Sequence, residues 1–122
     1  MYEVEITQHF DAAHCLRGYQ GRCENLHGHR WQVAVGLETD KLDDLGLAFD
    51  FTSLKAILKD VIGQYDHTNL NDLPPFTTIN PTAENIARVI YEQCEAQLHE
   101  KQATLRYVKV WESPDARAIY RR

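Results

Sequence analysis

The segment CENLHGHRW, residues 23–31, sets Cys23 four residues before the first of two histidines, His27 and His29, that flank a single glycine. A third histidine, His14, ends the stretch FDAAH, residues 10–14. Imidazole is a common zinc ligand. Three imidazoles with a fourth position open is the arrangement of a catalytic zinc ion, at Zn–N distances of about 2.0–2.1 Å. A thiol has an ordinary pKa of about 8.5, which a neighbouring cation lowers, so it can carry a proton beside such an ion. These residues therefore offer a metal next to a reactive thiol, provided the fold brings them together.

The strands that must do so are legible from alternation. Tyr2, Val4, Ile6, Phe10 and Ala12 share one parity, and Glu3, Glu5, Thr7, His9 and Asp11 share the other. This is the pattern of a half-buried strand. Trp31, Val33, Val35 and Leu37 alternate in the same way with Arg30, Gln32 and Glu38. His14 falls on the apolar parity of the first strand, and His27 and His29 on that of the second. Strand residues i and i+2 share a face about 6–7 Å apart, so all three imidazoles are expected to point to the apolar side. One inward histidine reads as a core residue bonded to a carbonyl. Three from neighbouring strands read as metal ligands, because burying three unpartnered rings would cost about 1–3 kcal/mol each. His9 reads as solvated, His99 as a helix-end cation, and Cys15 and Cys94 as packing.

After a turn segment, TSLKAILKDVIGQY carries Leu54, Ile57, Leu58, Val61, Ile62 and Tyr65 at helical spacing. Asn80 and Pro81 form an N-cap and first-turn pair. A second helix follows, with Ile86, Val89, Ile90, Cys94 and Leu98 along its apolar stripe. TLRYVKVWE and ARAIYRR read as two closing strands about the turn SPD. The order β-β-α-α-β-β places the chain in the α+β class, as a four-stranded antiparallel sheet with two helices on one face.

The chain has 122 residues, which suits a single domain spanning residues 1–122. Its formal charge of -5, with no basic run beyond the terminal RR, argues against nucleic acid as the main partner. No apolar run approaches the length of a membrane span. The three cysteines form no disulfide framework, and the N-terminus lacks a signal-peptide pattern. A reducing cytoplasm is the expected location.

Five stretches in order, FDAAH, CENLHGH, YDHTNLND, NPTAEN and WES, resemble the motifs of the 6-pyruvoyltetrahydropterin synthase superfamily. The nearest likeness is to the bacterial branch that makes 6-carboxytetrahydropterin for queuosine biosynthesis. The resemblance implies the tunnelling fold, in which sheets join edge to edge into barrels. It also implies a homohexamer of two stacked trimers with active sites at subunit interfaces. It places zinc on His14, His27 and His29, the catalytic thiol on Cys23, and a proton-handling pair on Asp66 and His67. Glu112 takes the role of pterin anchor, with helper contacts from Thr82. The implied substrate is 7,8-dihydroneopterin triphosphate, and the implied products are 6-carboxytetrahydropterin, triphosphate and acetaldehyde. Ala83 stands where animal pyruvoyl enzymes carry a second threonine, which favours the carboxy branch. Arg17, Arg22 and Lys109 are candidates for holding the triphosphate. The competing readings are a pyruvoyl-type enzyme of the same fold and a zinc-containing binding module without turnover.

Overall fold

The computed structural model describes residues 1–18, 25–98 and 102–122. Strand β1, Tyr2–His14, runs antiparallel to β2, His27–Thr39. Helix α1, Phe51–Gly63, follows; the Asp50 carboxylate accepts the Thr52 N–H and caps it. Helix α2 spans Ala83–Leu98. The chain closes with β4, Thr104–Ser113, antiparallel to β2, and β5, Ala116–Arg121, antiparallel to β4. The expected α+β order is present. One short strand is additional: β3, Thr68–Asn69, joins β1 in parallel, giving the sheet order β3-β1-β2-β4-β5. Two residues carry no readable alternation, so only pairing with β1 marks them as a strand.

The core lies between the sheet and the helices. Ile6 and Phe10 of β1, Trp31, Val33, Val35 and Leu37 of β2, and Val108 and Val110 of β4 meet Leu54, Leu58, Val61 and Ile62 of α1. Ile86, Ile90, Cys94 and Leu98 of α2 complete it. These are the residues that the alternation and the helical stripes single out. Burial pushes the Cys94 thiol up to about 12, the behaviour of an inert packed cysteine.

The opposite face of the sheet is polar. Lys109 Nζ lies 3.0 Å from Glu5 and Arg106 3.1 Å from Glu38. Tyr107 packs its ring flat over Gly36, where any Cβ would collide with it. No helix among the described residues is long and apolar enough to cross a membrane.

Thr82, and not Asn80, caps α2. Its Oγ1 accepts the Asn85 N–H at 3.1 Å. The Asn80 amide is committed elsewhere, accepting the Arg17 N–H and donating to the Arg17 carbonyl, both at 2.9 Å. These two bonds tie the end of β1 to the start of α2.

Candidate metal centre

The register of β1 against β2 does what parity alone could not. It sets His14 directly opposite His27 and places Ala12 opposite His29. The three rings stand edge-on to one another, with centroids 4.7–5.1 Å apart. Trp31 lies beneath two of them, 4.9 Å from His14 and 5.2 Å from His29, and its indole N–H donates to the Ala12 carbonyl. It is both a core residue and the floor of the cluster.

Hydrogen bonding fixes the tautomers. His14 Nδ1 lies 2.7 Å from the Pro81 carbonyl, and His27 Nδ1 lies 2.8 Å from the Asn25 carbonyl. A carbonyl only accepts, so both Nδ1 atoms carry the proton and both Nε2 atoms present lone pairs. Yet those two Nε2 atoms are 3.1 Å apart. Two lone pairs at that distance repel unless a cation lies between them. Ligand nitrogens about 2.0–2.1 Å from a tetrahedral ion are about 3.3–3.4 Å apart, which matches. His29 Nε2 is buried and makes no hydrogen bond. The donor set thus fits a metal ion, with carbonyls orienting two of the ligand rings.

Glu112 joins the cluster. Its Oε1 is 3.0 Å from His29 Nε2 and 3.8 Å from His14 Nε2. Ligand atoms of His14, His27, His29 and Glu112 all lie within 4.8 Å of one another, a grouping able to hold a metal ion. A cleft of about 470 Å³ opens beside it, lined in part by His29, Trp111, Glu112 and Ser113.

Burial holds His14 and His29 below the ordinary imidazole value, against the opposing pull of the Glu112 carboxylate. Both rings stay neutral near pH 7, as metal ligands must be. The sign for stability follows. The unfolded chain takes up protons near pH 6.5, the folded chain only at lower pH. Between the two, the unfolded state binds more protons, so stability rises with pH. The contribution is complete above about pH 6.5 and lost as pH falls through the depressed values. The metal-free protein is therefore expected to melt at progressively lower temperature as pH falls below about 6.5. A flat melting profile below that pH contradicts the assignment.

Asp66 and His67 do not join the imidazoles. They form a second cluster with Asp11 at the β3 edge of the sheet. Asp66 accepts the Asp11 N–H at 2.9 Å, and His67 Nδ1 lies 3.0 Å from the same carboxylate. The Asp11 N–H, followed by His67, keeps the Asp66 carboxyl below the usual range. Neighbouring strand residues would point apart. Here His67 takes a φ of 59°, in the left-handed region, and its N–H donates to the Asp11 carbonyl at 2.6 Å. The His67 side chain is 77% exposed.

The remaining candidates divide. Cys23, Arg22 and His99 lie outside the described residues. Thr82 uses its hydroxyl oxygen to cap α2, one residue beyond the carbonyl that holds His14. The Arg17 guanidinium is occupied by the carbonyls of Phe76 at 2.6 Å, Asn71 at 3.3 Å and Ile79 at 3.4 Å. It clamps a loop, and Lys109 pairs with Glu5 on the opposite face. Cys15 is half-buried, and its backbone is bridged by the Asn71 amide. His9 is exposed. The Pro81 carbonyl was not legible from residue types, since backbone carbonyls carry no sequence signal; Trp31 was legible as an inward core residue, but not as the floor of the cluster.

The sequence profile of 6-pyruvoyl tetrahydropterin synthase matches residues 3–122. The chain belongs to that family. Within the 6-pyruvoyl tetrahydropterin synthase family, it is 36% identical to the 6-carboxy-5,6,7,8-tetrahydropterin synthase of Bacillus subtilis, over 98% of this chain and 85% of that one. It is 30% identical to the enzyme of the same name from Haemophilus influenzae, over 98% and 99%. The solved 6-pyruvoyl tetrahydropterin synthase of Caenorhabditis elegans superposes with a TM-score of 0.87 at 28% identity, over 99% of this chain and 95% of that one. The tunnelling fold of the family is thus the fold of this chain.

Proposed function

We propose that the chain converts 7,8-dihydroneopterin triphosphate to 6-carboxytetrahydropterin, with release of triphosphate and acetaldehyde, as a zinc-dependent carbon–carbon lyase of queuosine biosynthesis. The observation that carries the reading is the pair of tautomer-fixed imidazoles whose lone pairs face each other at 3.1 Å beside the unbonded nitrogen of His29. The full-length likeness to enzymes named for the carboxy product supports the choice of branch.

His14, His27 and His29 hold the ion, which when bound supplies a positive charge that polarises the hydroxylated side chain of the substrate. Glu112 accepts paired N–H bonds from the amino-pyrimidine edge of the pterin. Cys23 and His67 move protons at the side chain, and Asp66 stabilises the charged form of His67. Thr82 helps to position the pterin. The separate location of Asp66 and His67, on an exposed sheet edge, supports a site assembled between copies, in a homohexamer of stacked trimers. The cytoplasm is the proposed location, and residues 1–122 act as one domain.

The fate of the side-chain carbons tests the branch. Zinc-loaded protein given the substrate is expected to release acetaldehyde and triphosphate in equal amounts, followed by aldehyde reduction in a coupled assay and by ion chromatography. Triphosphate without acetaldehyde would assign the pyruvoyl reaction instead.

A further inference from the structure

We infer that Glu112 is a fourth ligand of the resting metal ion and passes from the ion to the pterin ring when substrate binds. The second half rests on the proposed function; the first half rests on geometry alone.

Donors on a tetrahedral ion at bond lengths of about 2.0–2.2 Å lie about 3.3–3.6 Å apart. Glu112 Oε1 lies 3.0 Å from one imidazole nitrogen and 3.8 Å from another. The two distances bracket that spacing, so a small shift of the carboxylate sets it at ligand distance from both. The shorter contact falls outside good hydrogen-bonding geometry at His29 Nε2, while the carboxylate still acts on the ring as a close negative partner. The two atoms sit side by side, as ligands of a common centre do. A carboxylate also offsets part of the charge of a dication held by three neutral rings.

The backbone supplies the means for this placement. The β4–β5 register breaks between Trp111 and Ser113, at Glu112 itself. Glu112 keeps the inward parity of Val108 and Val110, and an irregularity of this kind leaves its backbone outside the regular ladder with β5. The Glu112 side chain is 39% exposed, so rotation is open to it. It also lines the cleft of about 470 Å³. The carboxylate stands at the border of the imidazoles and the cleft, so a side-chain rotation carries it from one to the other. A pterin in the cleft offers N–H donors that compete for it. Its departure clears a coordination position for the side-chain oxygens of the same substrate molecule. Recognition of the ring and opening of the ion become one event, a form of induced fit.

The test uses the metal-loaded full chain. Zinc affinity is measured by competition with a chromophoric chelator for the wild type and for Glu112→Gln, with thermal melting as the check on folding. The variant is expected to bind zinc at least about tenfold more weakly, since even outer-shell changes cost about 10–100-fold. The cobalt-substituted wild type is then titrated with unsubstituted pterin, which lacks a chelating side chain, and binding is followed by pterin fluorescence. The visible cobalt bands are expected to change as pterin saturates. Unchanged zinc affinity in a folded Glu112→Gln protein overturns the ligation. Cobalt bands that stay constant at pterin saturation overturn the hand-over, whether or not the variant folds. Weakened zinc with no pterin binding at all would leave the ligation standing and sink the functional reading. Turnover to the carboxy product with unchanged zinc affinity would do the reverse.

Discussion

His27→Ala should give a folded protein that binds zinc more than about 100-fold more weakly than the wild type and turns over no faster than the metal-stripped protein. Outer-shell partners of a metal site already cost about 10–100-fold in affinity, and His27 supplies one of the ring nitrogens themselves. Its Nε2 faces that of His14 at 3.1 Å with the tautomer set by the Asn25 carbonyl. Without it, the remaining rings no longer enclose a common point. The fold should survive, because His27 is only half-buried and lies outside the hydrophobic core. His14 would be the poorer choice. It is 2% exposed and packs edge-on to Trp31, so its removal also opens a cavity. Elemental analysis after dialysis and a thermal melt are the checks. Zinc retained at one ion per chain in His27→Ala would contradict the ligand set.

His67→Ala should lose turnover by about 10²–10⁴-fold, the range for a proton-transfer group, while keeping its zinc. Cys23→Ala is expected to behave alike, since both residues serve one proton path. The location of His67 adds a sharper expectation. Within one chain it clusters with Asp11 and Asp66 and not with His14, His27 and His29. If His67 of one copy completes the metal site of another, two dead variants should rescue each other. His27→Ala and His67→Ala, unfolded together and reassembled, should recover about a quarter of the wild-type rate, because each site draws its two halves from random copies in a symmetric oligomer. Sites contained within one chain would give no recovery on mixing.

Much of the site was readable because strand parity is a strict two-fold rule. His14, His27 and His29 each share the parity of buried residues on their strand, and their inward direction followed. Register was not readable. Residues 15–26 separate β1 from β2, too long a connection for turn type to fix which residues face each other. The opposition of His14 to His27 therefore emerges only in three dimensions. Glu112 shows the same limit in another form. Its parity with Val108 and Val110 points inward, but the register break beside it and its closeness to the imidazoles leave no mark in WES. The cap of α2 failed for a different reason. Asn80 and Thr82 both have capping side chains, and the choice went to Thr82 because Asn80 is held by the distant Arg17 backbone. Local propensity loses where a long-range contact competes for the same group. The turn at His67 required a positive φ in a residue that tolerates it, and YDHTNLND announced a bend without its geometry.

The most direct test of the central claim is product identification with and without metal. The protein is stripped with chelator, and one half is reloaded with zinc. Both halves are incubated with 7,8-dihydroneopterin triphosphate, and the pterins formed are identified by mass. The zinc-loaded half should yield 6-carboxytetrahydropterin and the stripped half unchanged substrate. Substrate left intact by both, or a pterin that retains all three side-chain carbons, would contradict it.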